Sequence, residues 1–303
     1  MFSGFNLRLD VKSCEEIFKK DFERYKEIGE KHLKPKINGF NSDLKELIHR
    51  NTINGSQLQE YCFPDIEADI FLSHSHKDRN LANALAGWIN DKFNLRVFID
   101  SNVWEYSDNL LEELNTQYSS RRIIDDGDGV LYDYKSGCKA SEHVNMMLSA
   151  ALHKMIDKME CVILLNTDSS VHVFGNNHFA DTYSPWIYSE ILCTQIVRKK
   201  PLLCYRNYNE LIHSYESKNI SHDVTNLVIS YNLSLKHLSH ICVDDLNKWL
   251  NNYKNPLLKG YYDEYPLDAL YCLTHKKHVE ITKKMCQLID HDKIEEIKKI
   301  FLG

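Results

Sequence analysis

Short apolar runs alternating with helix-periodic segments predict an α/β chain built on a parallel sheet with helices on both faces. Three observations carry this expectation. Runs with strand composition recur at DIFLS (69–73), RVFID (96–100), CVILLN (161–166) and PLLCY (201–205). Between the first two, Leu81, Leu85, Trp88 and Ile89 mark one face of a helix, and Val144, Met147, Leu148, Ala151, Met155 and Met159 mark another over about 142–159. Before the last run, Ser184-Pro185 supplies an N-cap with proline at the first helical position, and Arg198-Lys199-Lys200 closes the same helix with cations.

The flanks read differently. Residues 1–66 are expected as a helical extension, because Ile17, Phe18, Phe22, Tyr25 and Ile28 recur at helical spacing and a second short helix fits 41–50. Residues 67–205 form the α/β unit, interrupted by a large insertion at 105–141 that includes IIDDGDGVLYDYKSG. Loops of that length are usually functional or disordered. Its DDGDG resembles part of a calcium loop, but Val130 breaks the register and the bidentate glutamate is missing, so it reads as a turn. Residues 206–303 are expected to complete the sheet through ICVDD (241–245) and then add helices, the last one basic over about 276–301.

Composition narrows the function. The chain has 303 residues, 43% apolar and 26% charged, with a net charge of −6 spread along its length. Ordinary apolar content supports a sizeable core, and mild acidity disfavours nucleic-acid binding through a basic surface. Nine cysteines, odd in number and never spaced CxxC, argue against a disulfide framework or zinc ribbon and for reduced thiols. The first residues lack a signal-peptide pattern, and no apolar run approaches the ~18 residues of a membrane span. A cytoplasmic protein without membrane or nucleic-acid partners is expected.

The stretch FLSHSHKDR (71–79) admits two readings. His74, His76 and Asp78 have the HxHxD spacing of a binuclear metal hydrolase. Arg79 stands where that motif has a further histidine, however, and the following helix lacks the glycines of such enzymes. The other reading is a strand running into a turn at the carboxyl end of a sheet, where open α/β folds bind ligands. His76 fits an ordinary polar residue of that turn, and Ser75-x-x-Asp78 a capping box.

ADIFLSHSHKDRNLANALAGWI followed by LRVFIDSNVW and, later, SPWIYSE (184–190) resembles the TIR (Toll/interleukin-1 receptor) domain family over about 67–205. The resemblance implies a flavodoxin-like sheet. TIR domains comprise interaction scaffolds and enzymes that cleave NAD⁺ at the nicotinamide–ribose bond, and the enzymes carry a glutamate four residues after a tryptophan, here Trp186 and Glu190. The match is to the bacterial enzymatic type, similar to the TIR proteins of Thoeris antiphage defence. It implies Glu190 as the catalytic residue, with NAD⁺ as substrate and no bound cofactor or metal. His74 and Ser75 would line the NAD⁺ pocket, Asp100 its edge, Trp104 and Tyr106 a gating loop, and Trp186 a further wall. Self-association through TIR domains and a diffusible ADP-ribose-derived signal for a separate effector are implied as well. The alternatives are a non-catalytic TIR scaffold, and the HxHxD zinc hydrolase. Glu190 also has an ordinary reading as a solvated helix glutamate, as Asp100 has one as a strand-ending turn residue.

Overall fold

The computed structural model describes the chain except residues 33–39, 49–52, 100–104, 119–120, 124–129, 133, 175–178, 207–229, 256–258 and 289–303. In chain order the elements are β1 (Ser3–Arg8), α1 (Val11–Phe18), α2 (Phe22–His32), α3 (Phe40–Ile48), α4 (Gly55–Cys62), β2 (Ile70–Ser73), α5 (Arg79–Phe93), β3 (Val97–Ile99) and α6 (Glu105–Tyr118). Then come β4 (Arg121–Ile123), β5 (Val130–Tyr132), α7 (Tyr134–Lys158), β6 (Cys161–Asn166), β7 (His172–Phe174), β8 (Phe179–Thr182) and α8 (Pro185–Ile196). The last are β9 (Tyr231–Leu233), β10 (Ser239–Ile241), α9 (Val243–Tyr253), α10 (Lys259–Glu264), α11 (Pro266–Thr274) and α12 (Lys276–Leu288).

Five strands form one parallel sheet in the order β10-β1-β6-β2-β3. Alternate side chains of β6 point to opposite sides: Cys161, Ile163 and Leu165 join one core cluster, while Val162 and Leu164 join others. Both faces are therefore buried, which is why the parallel strands read as continuous apolar runs. On one face lie α1, α2, α5, α9 and α11, with Trp249 stacked on Phe93 at 3.9 Å. On the other lie α3, α4, α6 and α7, around Phe71, Phe98 and Val162, together with α8 over Leu164. Among the described residues no helix is long and apolar enough to cross a membrane.

Helices α2 and α5 touch backbone to backbone. A Cβ on Gly87 would lie 1.8 Å from the Tyr25 carbonyl oxygen, and one on Gly29 2.0 Å from that of Asn83, so each helix yields a glycine where the other crosses.

Three expectations need correction. The extension of residues 1–66 is not wholly helical: Ser3–Arg8 is a strand inside the central sheet, paired over six positions with Cys161–Asn166. Phe5, Leu7 and Leu9 alternate with Asn6 and Arg8, the period that should have flagged a strand. PLLCY is not a strand but a 3₁₀ turn over Leu202–Tyr205. Pro201 lacks the N–H that a ladder needs, and β6 is paired on its two sides by β1 and β2. The strand expected at ICVDD ends at Ile241, because Cys242 caps α9 and the Asp245 carboxylate accepts the Cys242 N–H at 3.1 Å.

The insertion is structured around a long helix. The periodic segment expected from 142 begins at Tyr134, α6 packs on it, and β4 pairs antiparallel with β5 around a connection containing DDGDG that lies outside the described residues. The final helix is described from Lys276 to Leu288.

Candidate functional site

The chain leaves β2 to one side for β3 and returns on the other side of β2 for β6. The loops after β2 and β6 thus diverge above the carboxyl ends of the strands, which is where open parallel sheets form ligand crevices. Ser73 ends β2, and His74, Ser75 and Asp78 follow it; Asn166 ends β6, and Thr167 follows. The Thr167 hydroxyl donates to the Asp78 carboxylate, tying the two loops together. Asn166 Nδ2 donates to Asn6 Oδ1 at 2.9 Å, extending the polar edge onto β1.

Helix α8 delivers the carboxylate to this edge. Its start is held by successive local bonds: Thr182 Oγ1 donates to the Ser170 carbonyl at 2.8 Å, the Ser184 N–H donates to Thr182 Oγ1 at 3.1 Å, and the Ile187 N–H donates to Ser184 Oγ at 3.2 Å. Pro185 takes the first helical position, where a missing N–H costs nothing. Ile187 and Ile191 then anchor the helix through the cluster around Leu164 and Leu233, while Leu192 is exposed. From the neighbouring helix, His153 Nε2 lies 2.9 Å from Ser189 Oγ.

Glu190 is consequently turned inward. Only 1% of it is exposed, and Ser73 Oγ donates to its Oε2 at 2.6 Å across 117 residues of sequence. A short bond from a hydroxyl to a buried carboxylate is of the charge-assisted kind. A buried carboxylate is rare unless partnered, so the solvated-helix reading of Glu190 fails. His74, which follows Ser73, is buried too, with Nδ1 3.3 Å from the Leu72 carbonyl oxygen.

The remaining expected residues divide. Ser75 is half-buried and its hydroxyl faces the Lys77 N–H at 3.4 Å, capping a 3₁₀ turn over His76–Asp78 that leads into α5. Trp186 is half-buried and packs on the cluster around Phe71 and Phe98, one turn before Glu190. Asp100 and Trp104 lie outside the described residues, and Tyr106 lies in α6 with its side chain outside them. Ser73 is the residue that sequence reading passed over. Its signal was its place as the polar residue ending an apolar strand at the carboxyl edge.

The HxHxD residues do not converge. His74 is buried, His76 is exposed, and Asp78 is engaged by Thr167. Among the described residues no three His, Cys, Asp or Glu side chains gather as a metal site.

Chemically, the edge offers a buried carboxylate with a hydroxyl donor holding one oxygen and an indole one helical turn before it, with a buried imidazole on the residue after that hydroxyl. Such an arrangement can stabilise positive charge or accept a proton. Comparison with protein-family models, with curated proteins and with solved structures returned no match.

Proposed function

We propose that the chain is a TIR-type enzyme that cleaves the nicotinamide–ribose bond of NAD⁺, with Glu190 as the catalytic residue. The observation that carries this reading is the Glu190 carboxylate, buried at the carboxyl edge of a parallel sheet and held by Ser73 at the end of the neighbouring strand. The sequence resemblance of SPWIYSE and FLSHSHKDR adds the substrate; the geometry supports the division of labour.

In this reaction the C1′–N bond breaks with its electron pair leaving on nicotinamide, which departs as a neutral molecule and needs no general acid. Positive charge develops on the ribose, and a fixed anion beside its ring and hydroxyls lowers the barrier. Ser73 holds that anion in one rotamer, so little reorganisation is needed when the charge appears. Trp186 offers a flat wall for a ring. Attack by water gives ADP-ribose and a proton, and attack by another nucleophile gives a cyclised or conjugated ADP-ribose signal, which in a bacterial defence setting would act on a separate effector.

With Glu190 sealed from solvent in this conformation, turnover requires the loop after β2 to part from α8. Self-association of TIR units is the proposed trigger, so activity should rise with protein concentration. The same sealing favours a second reading, a non-catalytic TIR scaffold in which the Ser73–Glu190 bond only joins loop to helix. Incubation with NAD⁺ over a wide range of protein concentration decides between them: the enzyme releases nicotinamide and loses this on Glu190→Gln, whereas the scaffold releases none at any concentration. Equal release by both proteins removes Glu190 from the mechanism.

A further inference from the structure

A cavity of about 560 Å³ opens at the opposite end of the sheet, beside Ser3 and Gly4 at the start of β1. It is walled by the residues that follow α8 and by the junction of α11 with α12. The titratable side chains that line it among the described residues are Lys199, Lys200, His237, His275 and His278, with no carboxylate among them. Lys200 is already committed, since its Nζ lies 2.7 Å from Asp157 Oδ2. Lys199 forms no ion pair among the described residues.

The groups sense one another's charge. Burial first, then Lys199, pushes the His237 imidazole below its ordinary range; burial, His278 and Lys199 do the same to His275. With these two imidazoles held toward the neutral form and Lys200 paired with Asp157, Lys199 supplies a cation to a concave lining without carboxylates among the described residues, which favours an anion. One side of the lining is aromatic, with its rings inclined 59–71° to one another. The rings of Phe2, His275 and His278 form a triangle with centroids 5.6, 6.0 and 6.1 Å apart.

We propose that this cavity is a second binding site, for a phosphorylated ring compound of mononucleotide size. Lys199 and the His278 imidazole donate to the phosphate oxygens, and the ring packs against the inclined rings of Phe2 and His275. The volume falls in the range of small-molecule pockets, roughly 300–1,000 Å³, nearer its lower half. Position separates it from the Glu190 crevice: β1 and β6 run parallel, so their first residues lie at the sheet edge away from Ser73 and Asn166. The inference does not depend on NAD⁺ chemistry.

Calorimetric titration of the full chain with adenosine monophosphate, adenosine and inorganic phosphate tests it. The nucleotide is expected to bind, with adenosine at least roughly tenfold weaker for want of the charge-assisted bonds. Lys199→Ala and His278→Ala, both at exposed positions, should each weaken the nucleotide roughly tenfold without lowering the melting temperature. Glu190→Gln should bind it as the wild type does. Absence of nucleotide binding at millimolar concentration, equal affinity for adenosine, or unchanged affinity in both cavity variants would each overturn the proposal. Loss of binding in Glu190→Gln alone would do so too, by moving the nucleotide to the crevice.

Discussion

Replacing Glu190 by glutamine should make the protein more stable while abolishing nicotinamide release. Glutamine is nearly isosteric, and its amide oxygen can still accept from Ser73 Oγ, which lies 2.6 Å from the carboxylate. A hydrogen bond to a charged group is worth about 1.5–3 kcal/mol and a neutral one about 0.5–1.5 kcal/mol, so the exchange forfeits about 1 kcal/mol. Against this stands the desolvation of an ion that is 1% exposed, which costs several kcal/mol and disappears with the charge. The net expectation is a gain of about 1–3 kcal/mol. Ser73→Ala acts in the opposite direction. It removes a donor from the buried carboxylate and should cost about 1.5–3 kcal/mol. Urea unfolding followed by tryptophan fluorescence reads both as shifts of the midpoint at constant slope. A buried charge kept at a stability cost is the mark of a functional residue. If Glu190→Gln unfolds more than about 1 kcal/mol earlier than the wild type, the carboxylate is a structural anchor and the argument for catalysis loses its physical basis.

Three further outcomes follow from the packing. Arg206 Nη1 and Nη2 donate to the two Glu160 oxygens at 3.0 and 3.1 Å, and Nη2 also donates to buried Asp268. Arg206→Ala removes the cation from two buried carboxylates and should cost about 3–5 kcal/mol in urea unfolding, whereas Arg8→Ala, which breaks a surface pair with Asp168, should stay within about 1 kcal/mol. Gly87→Ala forces a methyl against the Tyr25 carbonyl and should lower stability by about 1–3 kcal/mol, while Gly55→Ala meets nothing within 4 Å and should be neutral or slightly stabilising by calorimetry. Burial and neighbouring cations depress His237 and His275 below the ordinary 6.5, so below that pH the unfolded chain binds more protons than the folded one. Their contribution is complete above about pH 6.5 and is lost as pH falls, so the melting temperature should drop on acidification and His275→Ala should flatten that drop.

Local pattern was enough to read much of this chain. Ile70–Ser73, Val97–Ile99 and Cys161–Asn166 are legible as strands because a strand buried on both faces must be apolar throughout, α5 because its apolar residues recur each turn, and α8 because Ser184-Pro185 opens it and cations close it. Glu190 became a candidate only through the family resemblance of SPWIYSE; the residues alone read equally as a solvated glutamate on a helix whose start Ser184 and Pro185 announce. Tertiary structure decided what competition and distance decide. Ser3–Arg8 and PLLCY both have strand composition, yet the first pairs with β6 over six positions while the second, opened by a proline, folds as a 3₁₀ turn. The same holds at the site. A carboxylate's burial depends on what faces it, and what faces Glu190 is a serine 117 residues away, brought there because β2 ends at the edge over which α8 lies.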